Sequence, residues 1–210
     1  MTAAGPAKPV VAAFDFDGTL TTGDTLLPFL RHVLGTARVA RDALMLAPLL
    51  AGYGLGLIGN AVAKERVLMR CLAGMRSDEL QRRAEEFAHT VLPGMLRQQA
   101  LRRLAWHQQQ GHRCVAISAS LDLYVRPCAI AAGFDDVIAT RLEVRADGSV
   151  RGRLASANCY GAEKAVRLEA LFGARAGYTL YAYGDSRGDR EMLASADHAY
   201  YREFPESTDE

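Results

Sequence analysis

The stretch VVAAFDFDGT, residues 10–19, decides the fold of this chain. Its first five residues are apolar without a break, which is typical of a parallel strand that is covered on both faces. Asp15 and Asp17 follow at once, so two carboxylates leave the end of the strand together. Gly18 lets the backbone turn sharply and bring N–H groups close to an anion. A simple Asp-Gly turn after a strand is the alternative interpretation.

Strand and helix patterns alternate along most of the remaining chain. Apolar runs predict strands at 113–117, 136–139, 178–183 and 198–200, and helical periodicity predicts helices at 77–89, 95–110, 122–132, 162–172 and 187–194. Ser77 is expected to cap the first of these helices. Polar and apolar residues alternate around Asp147-Gly148, which indicates a β-hairpin within 141–154. Strands that alternate with helices predict an α/β fold with a Rossmann-like, doubly wound parallel sheet.

A long insert separates the first two strands. Residues 24–93 exceed the length of an ordinary loop, and from residue 26 to about 92 they have the pattern of helices without a convincing strand. Residues 43–63 carry no charge, but Pro48 and four glycines interrupt them. We therefore predict two short helices joined by a glycine turn. A membrane-facing insert is the alternative interpretation.

Composition restricts the class of protein. The 210 residues contain 25 Lys and Arg against 24 Asp and Glu, so there is no basic excess that would favour nucleic acid. The four cysteines lack zinc-site spacing and are expected to be the reduced thiols of a cytoplasmic protein. Residues 1–9 lack the apolar core of a signal peptide and are expected to be a flexible tail, and residues 206–210 are expected to fray.

Polar residues follow several predicted strands and are expected to meet in one crevice, because ligands of parallel sheets bind beyond the carboxyl ends of the strands. They are Asp15, Asp17, Ser118 and Asp185. Magnesium prefers oxygen ligands, which Asp15 and Asp185 can supply. Lys164 can neutralise a phosphate, and the Ser118 hydroxyl can hold a phosphate oxygen. Taken singly, these residues also fit a helix cap at Asp185, a cap at Ser118 and a surface lysine.

The order Asp-x-Asp-Gly-Thr, then Ser, then Lys, then Gly-Asp-x-x-x-Asp resembles the four motifs of the haloacid dehalogenase-like superfamily. Within it the chain looks like subfamily IB, the phosphoserine-phosphatase-like branch. The resemblance implies a magnesium-dependent phosphatase that hydrolyses a phosphate monoester through a phospho-aspartyl intermediate. It also implies that residues 1–23 and 94–210 form the core domain and that 24–93 form a helical cap domain over the site.

The resemblance assigns roles residue by residue. Asp15 matches the nucleophile, and Asp17 matches the general acid and base whose backbone carbonyl also binds metal. The phosphate-binding positions correspond to Gly18, Ser118, Ala119 and Lys164, and the Mg²⁺ ligands to Asp15, Asp17 and Asp185. Asp189 matches the acid that supports the metal through water or hydrogen bonds.

The substrate is less constrained than the chemistry. The phosphoserine phosphatases of this branch have Glu at the position of Asp24, Gly-Gly at 119 and 120, and Asn at that of Gly188. Specificity candidates are Asp24, Lys64, Arg66 and Arg70. The substrate is expected to be a small phosphorylated metabolite. Alternatives are a phosphatidylglycerophosphate-type lipid phosphate, phosphoserine, or transfer of the phosphoryl group to another acceptor.

Overall fold

The computed structural model describes residues 8–205. The frayed end predicted for 206–210, and all but the last two residues of the tail predicted for 1–9, lie outside this range. The sections below concern residues 8–205 alone.

A five-stranded parallel sheet forms the centre of the described chain. Its strands lie in the order β3-β2-β1-β6-β7, and a separate antiparallel pair joins β4 to β5. The bounds are β1 Val10–Asp15, β2 Arg113–Leu121, β3 Asp136–Thr140, β4 Leu142–Val144, β5 Val150–Leu154, β6 Thr179–Gly184 and β7 His198–Tyr201. The predicted sheet and the predicted hairpin are both confirmed.

Helices cover both faces of the sheet. Their bounds are α1 Leu26–Leu34, α2 Thr36–Met45, α3 Ala47–Gly54, α4 Asn60–Leu72, α5 Ser77–Thr90, α6 Gln98–Gln109, α7 Asp122–Ala132, α8 Ala162–Phe172 and α9 Arg190–Ser195. Ala12 and Phe14 of β1 belong to one apolar cluster, whereas Val11 and Ala13 belong to another. Because neighbouring strand residues point to opposite faces, each face of β1 is buried in its own core. This is the doubly wound, Rossmann-like α/β architecture that the sequence predicts.

The helical insert between β1 and β2 contains α1 to α5. Aromatic rings join the insert to helix α7. The ring centroid of Phe87 in α5 lies 5.4 Å from that of Tyr124 in α7 and 5.5 Å from that of Phe29 in α1. All three rings are buried. The division into domains at residues 23/24 and 93/94 stays a prediction.

The uncharged run covers the end of α2, all of α3 and the start of α4, and the predicted glycine turn separates α3 from α4. Helix α3 ends at Gly54, Gly56 adopts the left-handed conformation with φ +74°, and α4 begins at Asn60. No helix within residues 8–205 combines the length and the apolar character needed to cross a bilayer.

A predicted helix cap and a predicted helix start are wrong. Ser77 is the first residue of α5 rather than its cap, because its N–H donates to the carbonyl of Gly148 in the hairpin and Arg76 takes the extended cap position. Helix α6 begins at Gln98 instead of residue 95, because a 3₁₀ turn ends at Met95 and the extended Arg97 donates its N–H to the carbonyl of Leu20. Long-range hydrogen bonds set both boundaries.

Candidate active site

Asp15 is the last residue of the central strand, and Asp17 and Gly18 follow in the loop. Gly18 has φ +77°, a conformation that side chains disfavour. A Cβ atom at this position would also collide with the carboxylate of Asp185. Both the backbone conformation and the closeness of Asp185 therefore require glycine at this position. Because Gly18 has no side chain, the carboxylate of Asp185, which follows β6, can lie against it.

Lys164 lies at the centre of the site. Its Nζ atom is 2.5 Å from Oδ1 of Asp15, 2.6 Å from Oδ1 of Asp189 and 3.2 Å from the carbonyl of Ile117. The side chain is only 2% exposed. Burial acts to lower the pKa of Lys164, but the charges of Asp15 and Asp189 raise it overall. Lys164 is thus a buried cation held between two acids and not a surface lysine.

Asp15 has an unusual protonation equilibrium for an aspartate. Burial raises its pKa to about 7, against the lowering effect of the Lys164 ammonium. Asp189 and Asp17 raise it further through their negative charges. A bound cation would oppose these effects and favour the ionised carboxylate.

Three carboxylates form a cluster with the composition of a magnesium site. One oxygen of each of Asp15, Asp185 and Asp189 lies within 4.8 Å of the others. Asp189 Oδ2 also accepts hydrogen bonds from the N–H groups of Asp185 and Ser186 and from the Ser186 hydroxyl. Both oxygens of Asp189 therefore accept hydrogen bonds, Oδ1 from Lys164 and Oδ2 from the Asp185 loop. Asp15 and Asp185, by contrast, line the open cavity. The donor set fits a hard cation held mainly by Asp15 and Asp185.

Two hydroxyl residues that the sequence did not single out hold the carboxylate of Asp17. Oδ1 accepts from the Thr25 N–H at 2.7 Å and the Thr25 hydroxyl at 2.5 Å, and Oδ2 accepts from the Ser120 hydroxyl at 2.5 Å. Burial raises the pKa of Asp17, and these hydrogen bonds act in the opposite direction. The alternation of Ser118, Ala119 and Ser120 would have placed Ser120 on the face of Ser118 if β2 had been predicted to its full length.

The second strand is longer than predicted, which changes the place of Ser118. Strand β2 runs to Leu121, so Ser118 lies within it and is fully buried. Its Oγ accepts the N–H of Ser120 at 2.9 Å. Ala119 and Ser120, rather than Ser118, line the cavity. The phosphate-binding role predicted for Ser118 stays a prediction.

A cavity of about 790 Å³ opens above these groups. It brings together Asp15, Asp17, Gly18, Ala119, Lys164 and Asp185 from distant parts of the sequence. Its outer wall includes the apolar side chains Leu26, Leu50, Tyr53 and Val67. The cavity therefore has an acidic floor around Lys164, and its wall combines these apolar side chains with polar ones such as Asp24 and Lys64.

The four specificity candidates divide into two pairs. Asp24 and Lys64 line the cavity, whereas Arg66 and Arg70 are not among its lining residues. Lys64 Nζ donates to the carbonyl of Ala119, and burial lowers its pKa to about 8. Arg70 instead donates to Asp42 at 3.0 Å, outside the cavity. Only the first pair is placed to contact a substrate in this cavity.

Comparisons with known proteins show the family of this chain. A family model described as haloacid dehalogenase-like hydrolase matches residues 12–194, and the chain belongs to this family. The chain is 37% identical over 197 residues to protein CicA of Caulobacter vibrioides, covering 94% of this chain and 87% of CicA. It is 30% identical over 204 residues to a probable phosphatase of Mycobacterium tuberculosis, covering 92% of this chain and 69% of the relative.

The fold is that of the phosphoserine-phosphatase-like branch. A structure of phosphoserine phosphatase with bound substrate superimposes with a TM-score of 0.64 and covers 92% of this chain and 84% of the other. Sequence identity is 18%, so this likeness concerns the fold. The resemblance read from the four motifs is therefore confirmed at the level of family and fold.

Proposed function

We propose that the chain is a magnesium-dependent phosphatase that hydrolyses a phosphate monoester through an aspartyl phosphate on Asp15. The observation that carries the proposal is the position of the Asp15 carboxylate. It lies on the cavity floor, 2.5 Å from the buried Lys164 ammonium and in the same cavity as Asp17. The family and the probable phosphatase among its relatives support a reaction of this class.

The proposed chemistry has two steps. In the first, a carboxylate oxygen of Asp15 attacks phosphorus, the bond from phosphorus to the leaving-group oxygen breaks, and Asp17 donates its proton to that oxygen. In the second, Asp17 takes a proton from a water molecule, whose oxygen attacks phosphorus and releases Asp15. The products are an alcohol and inorganic phosphate, and both aspartates return to their initial states.

The environments of the two acids fit these different roles. The raised pKa of Asp17 keeps a proton available for the leaving group at a pH where a free aspartate would be ionised. Lys164 offsets negative charge at Asp15 and at an incoming phosphate. The Thr25 and Ser120 hydroxyls fix the direction in which Asp17 points.

Magnesium fits the acids that line the cavity. We infer that Asp15, Asp185 and the backbone carbonyl of Asp17 hold it, with Asp189 orienting the Asp185 loop through the Asp185 and Ser186 N–H groups. When bound, the ion would offset phosphate charge and favour ionised Asp15.

A lipid phosphate is the second candidate substrate, favoured by the apolar wall of the cavity. Leu26, Leu50, Tyr53 and Val67 line the same cavity as the acidic floor, and Lys64 of α4 is the cation that the insert contributes to this lining. A small zwitterion such as phosphoserine would need partners for a carboxylate and an ammonium, since unpaired buried charge is costly. A monoester with a larger apolar leaving group fits this wall better.

The test is release of inorganic phosphate in the presence of magnesium. Phosphoserine, sugar phosphates, nucleotides, histidinol phosphate and a short-chain phosphatidylglycerophosphate are compared by kcat/KM, and sugar acceptors are added to detect phosphoryl transfer. Asp15→Asn is the matched variant, because the amide cannot form the acyl phosphate. We expect it to remain folded by circular dichroism and to lose at least about a thousandfold in turnover. Turnover within about tenfold of wild type would exclude Asp15 as the nucleophile.

A further inference from the structure

Helix α3 and the residues on either side of it expose a cluster of apolar side chains. Helix α3 consists of APLLAGYG, and none of its residues is buried. Leu44, Leu55 and Leu57 on either side of it are 77%, 76% and 79% exposed. We define the apolar tip as these three residues together with Met45, Leu50 and Tyr53, which are also exposed.

The apolar tip occupies one short stretch of sequence that is free of charge. Its six residues lie within fourteen consecutive positions, and no Asp, Glu, Lys or Arg occurs between residues 43 and 63. Single exposed leucines are ordinary on protein surfaces, but a contiguous apolar patch marks a site of interaction with another molecule or with a membrane. The tip therefore requires a partner that accepts apolar side chains.

A cluster of arginines lies directly beside the tip. Arg38, Arg41 and Arg70 all approach the Asp42 carboxylate, at 3.7, 3.6 and 3.0 Å. Three positive charges share one buried negative charge, so two are in excess, and the arginine side chains are 40% to 61% exposed. Arg70 Nη2 also lies 2.7 Å from Sδ of Met45, which joins the basic cluster to the apolar tip.

We propose that the apolar tip inserts into the surface of an anionic lipid bilayer. Apolar side chains flanked by exposed arginines are the combination that binds such interfaces, because the former enter the acyl boundary and the latter meet anionic headgroups. Leu55 and Leu57 are the inserting residues, and Arg38, Arg41 and Arg70 are the headgroup contacts.

The charge pattern favours a bilayer over a second copy of the chain. Two copies related by a two-fold axis would bring the same patch of each subunit together. The arginine clusters would then face each other across the interface, and like charges in apposition oppose association. An anionic surface attracts the same arginines.

The tip is also continuous with the catalytic cavity. Leu50 and Tyr53 are exposed at the tip and at the same time line the cavity above Asp15. Docking of the tip therefore presents the mouth of the cavity to the lipid surface. The docking itself does not depend on the proposed phosphatase activity and is measured without substrate.

The test is flotation of the full chain with vesicles. Wild type is mixed with phosphatidylcholine vesicles containing phosphatidylglycerol, or with phosphatidylcholine alone. The Leu55→Ser/Leu57→Ser variant is compared with Ile130→Ser/Val166→Ser, whose residues are 52% and 58% exposed on α7 and α8, outside the helical insert. We expect wild type and the control to float with anionic vesicles, and the tip variant to lose about tenfold in partitioning.

Charge and oligomeric state complete the test. Arg41→Ser should weaken binding to anionic vesicles, and added salt should do the same. No flotation of wild type, or equal flotation of the tip variant, overturns the proposal. So does a wild-type dimer in analytical ultracentrifugation that dissociates in the tip variant. Phosphate release from a water-soluble monoester should be the same in the tip variant and in wild type, which separates failure of docking from failure of the phosphatase assignment.

Discussion

The Lys164 Nζ and the Asp15 Oδ1 atoms lie 2.5 Å apart although 149 positions separate the two residues in the chain. Both side chains are almost completely buried, and the same ammonium also binds Asp189. Removing one partner from a buried ion pair costs more than the pair contributes, because the remaining charges lose their compensation. The proposed reaction centre is therefore also a stability element.

Lys164→Met should lower both the stability of the fold and the rate of phosphate release. Methionine fills a similar volume without charge, so Asp15 and Asp189 are left as two buried acids in contact. We expect the free energy of unfolding to fall by about 3 to 5 kcal/mol in chelator and phosphate release to fall at least about a hundredfold. Denaturant titration and a phosphate assay measure the two effects. Arg82→Met, at an exposed position, should change stability by less than about 0.5 kcal/mol. Equal stability of both variants would contradict the prediction.

Ser120→Ala should move the pH profile. The Ser120 hydroxyl donates to Asp17 Oδ2 at 2.5 Å and so stabilises the ionised form. Its removal raises the pKa of Asp17, because the ionised carboxylate loses a hydrogen bond that stabilises its charge. If protonated Asp17 serves the leaving group, the alkaline limb of kcat/KM shifts to higher pH.

Ser118→Ala is the matched control for that shift. Its hydroxyl accepts from the Ser120 N–H and makes no hydrogen bond to Asp17. The control variant lies in the same strand, so a general disturbance of β2 would affect both variants. We expect the alkaline limb of kcat/KM for Ser118→Ala to lie at the same pH as in wild type, even if the value of kcat/KM itself changes. Identical limbs in all three proteins would rule out the assignment of Asp17.

The core of the site is predictable from sequence because parallel strands impose it. β1 pairs with β2 on one side and with β6 on the other, so the residues that follow β1 and β6 must meet at one edge. Asp15 and Asp185 could thus be placed together without knowing a single helix position. The period of apolar residues also gave α7 and α8 their correct bounds.

The rest depends on contacts that no local pattern contains. The Ser77 cap failed because the hairpin binds the backbone there, and the partners of Asp17 come from residues 8 and 103 positions away. Arg70 has the charge expected of a substrate ligand, but packing of α2 against α4 directs it to Asp42. Side-chain direction on the insert could not be predicted without its tertiary packing.

Asp185→Asn should weaken the response to magnesium more than it alters the fold. The carboxylate lies against Gly18 and within reach of Asp15, so an amide removes one charged oxygen ligand. We expect the magnesium concentration for half-maximal phosphate release to rise at least about tenfold. Asp136→Asn, at the amino end of β3 and therefore at the opposite edge of the sheet, should leave it unchanged.

Metal replacement gives an independent measurement. Chelator should abolish phosphate release, and calcium should inhibit it, because calcium takes more oxygen ligands and can engage both oxygens of Asp15. Full activity in excess chelator would be incompatible with the proposed magnesium site.

His107 should make the free energy of unfolding decrease as the pH falls below about 6.5. Its ring is buried, with Nε2 2.9 Å from the Tyr183 hydroxyl and Nδ1 2.8 Å from Nδ1 of His112. Burial, with smaller effects of Arg103 and His112, lowers its pKa to about 3. Above pH 6.5 the ring is neutral in both states, and the lowered pKa has no effect on stability. Between pH 6.5 and 3 the unfolded chain binds a proton that the native protein does not, so stability falls as pH falls.

The measurement compares the free energy of unfolding of wild type and His107→Gln from pH 7 to pH 4. Glutamine keeps a polar group near Tyr183 but has no titration in this range. We expect wild type to lose about 3 kcal/mol more than the variant over this interval. His89→Gln, at an exposed position, is the control and should follow the wild-type curve. Parallel curves for wild type and His107→Gln would mean that the native protein binds a proton at His107 as readily as the unfolded chain does. The description of His107 as a buried neutral ring would then be wrong.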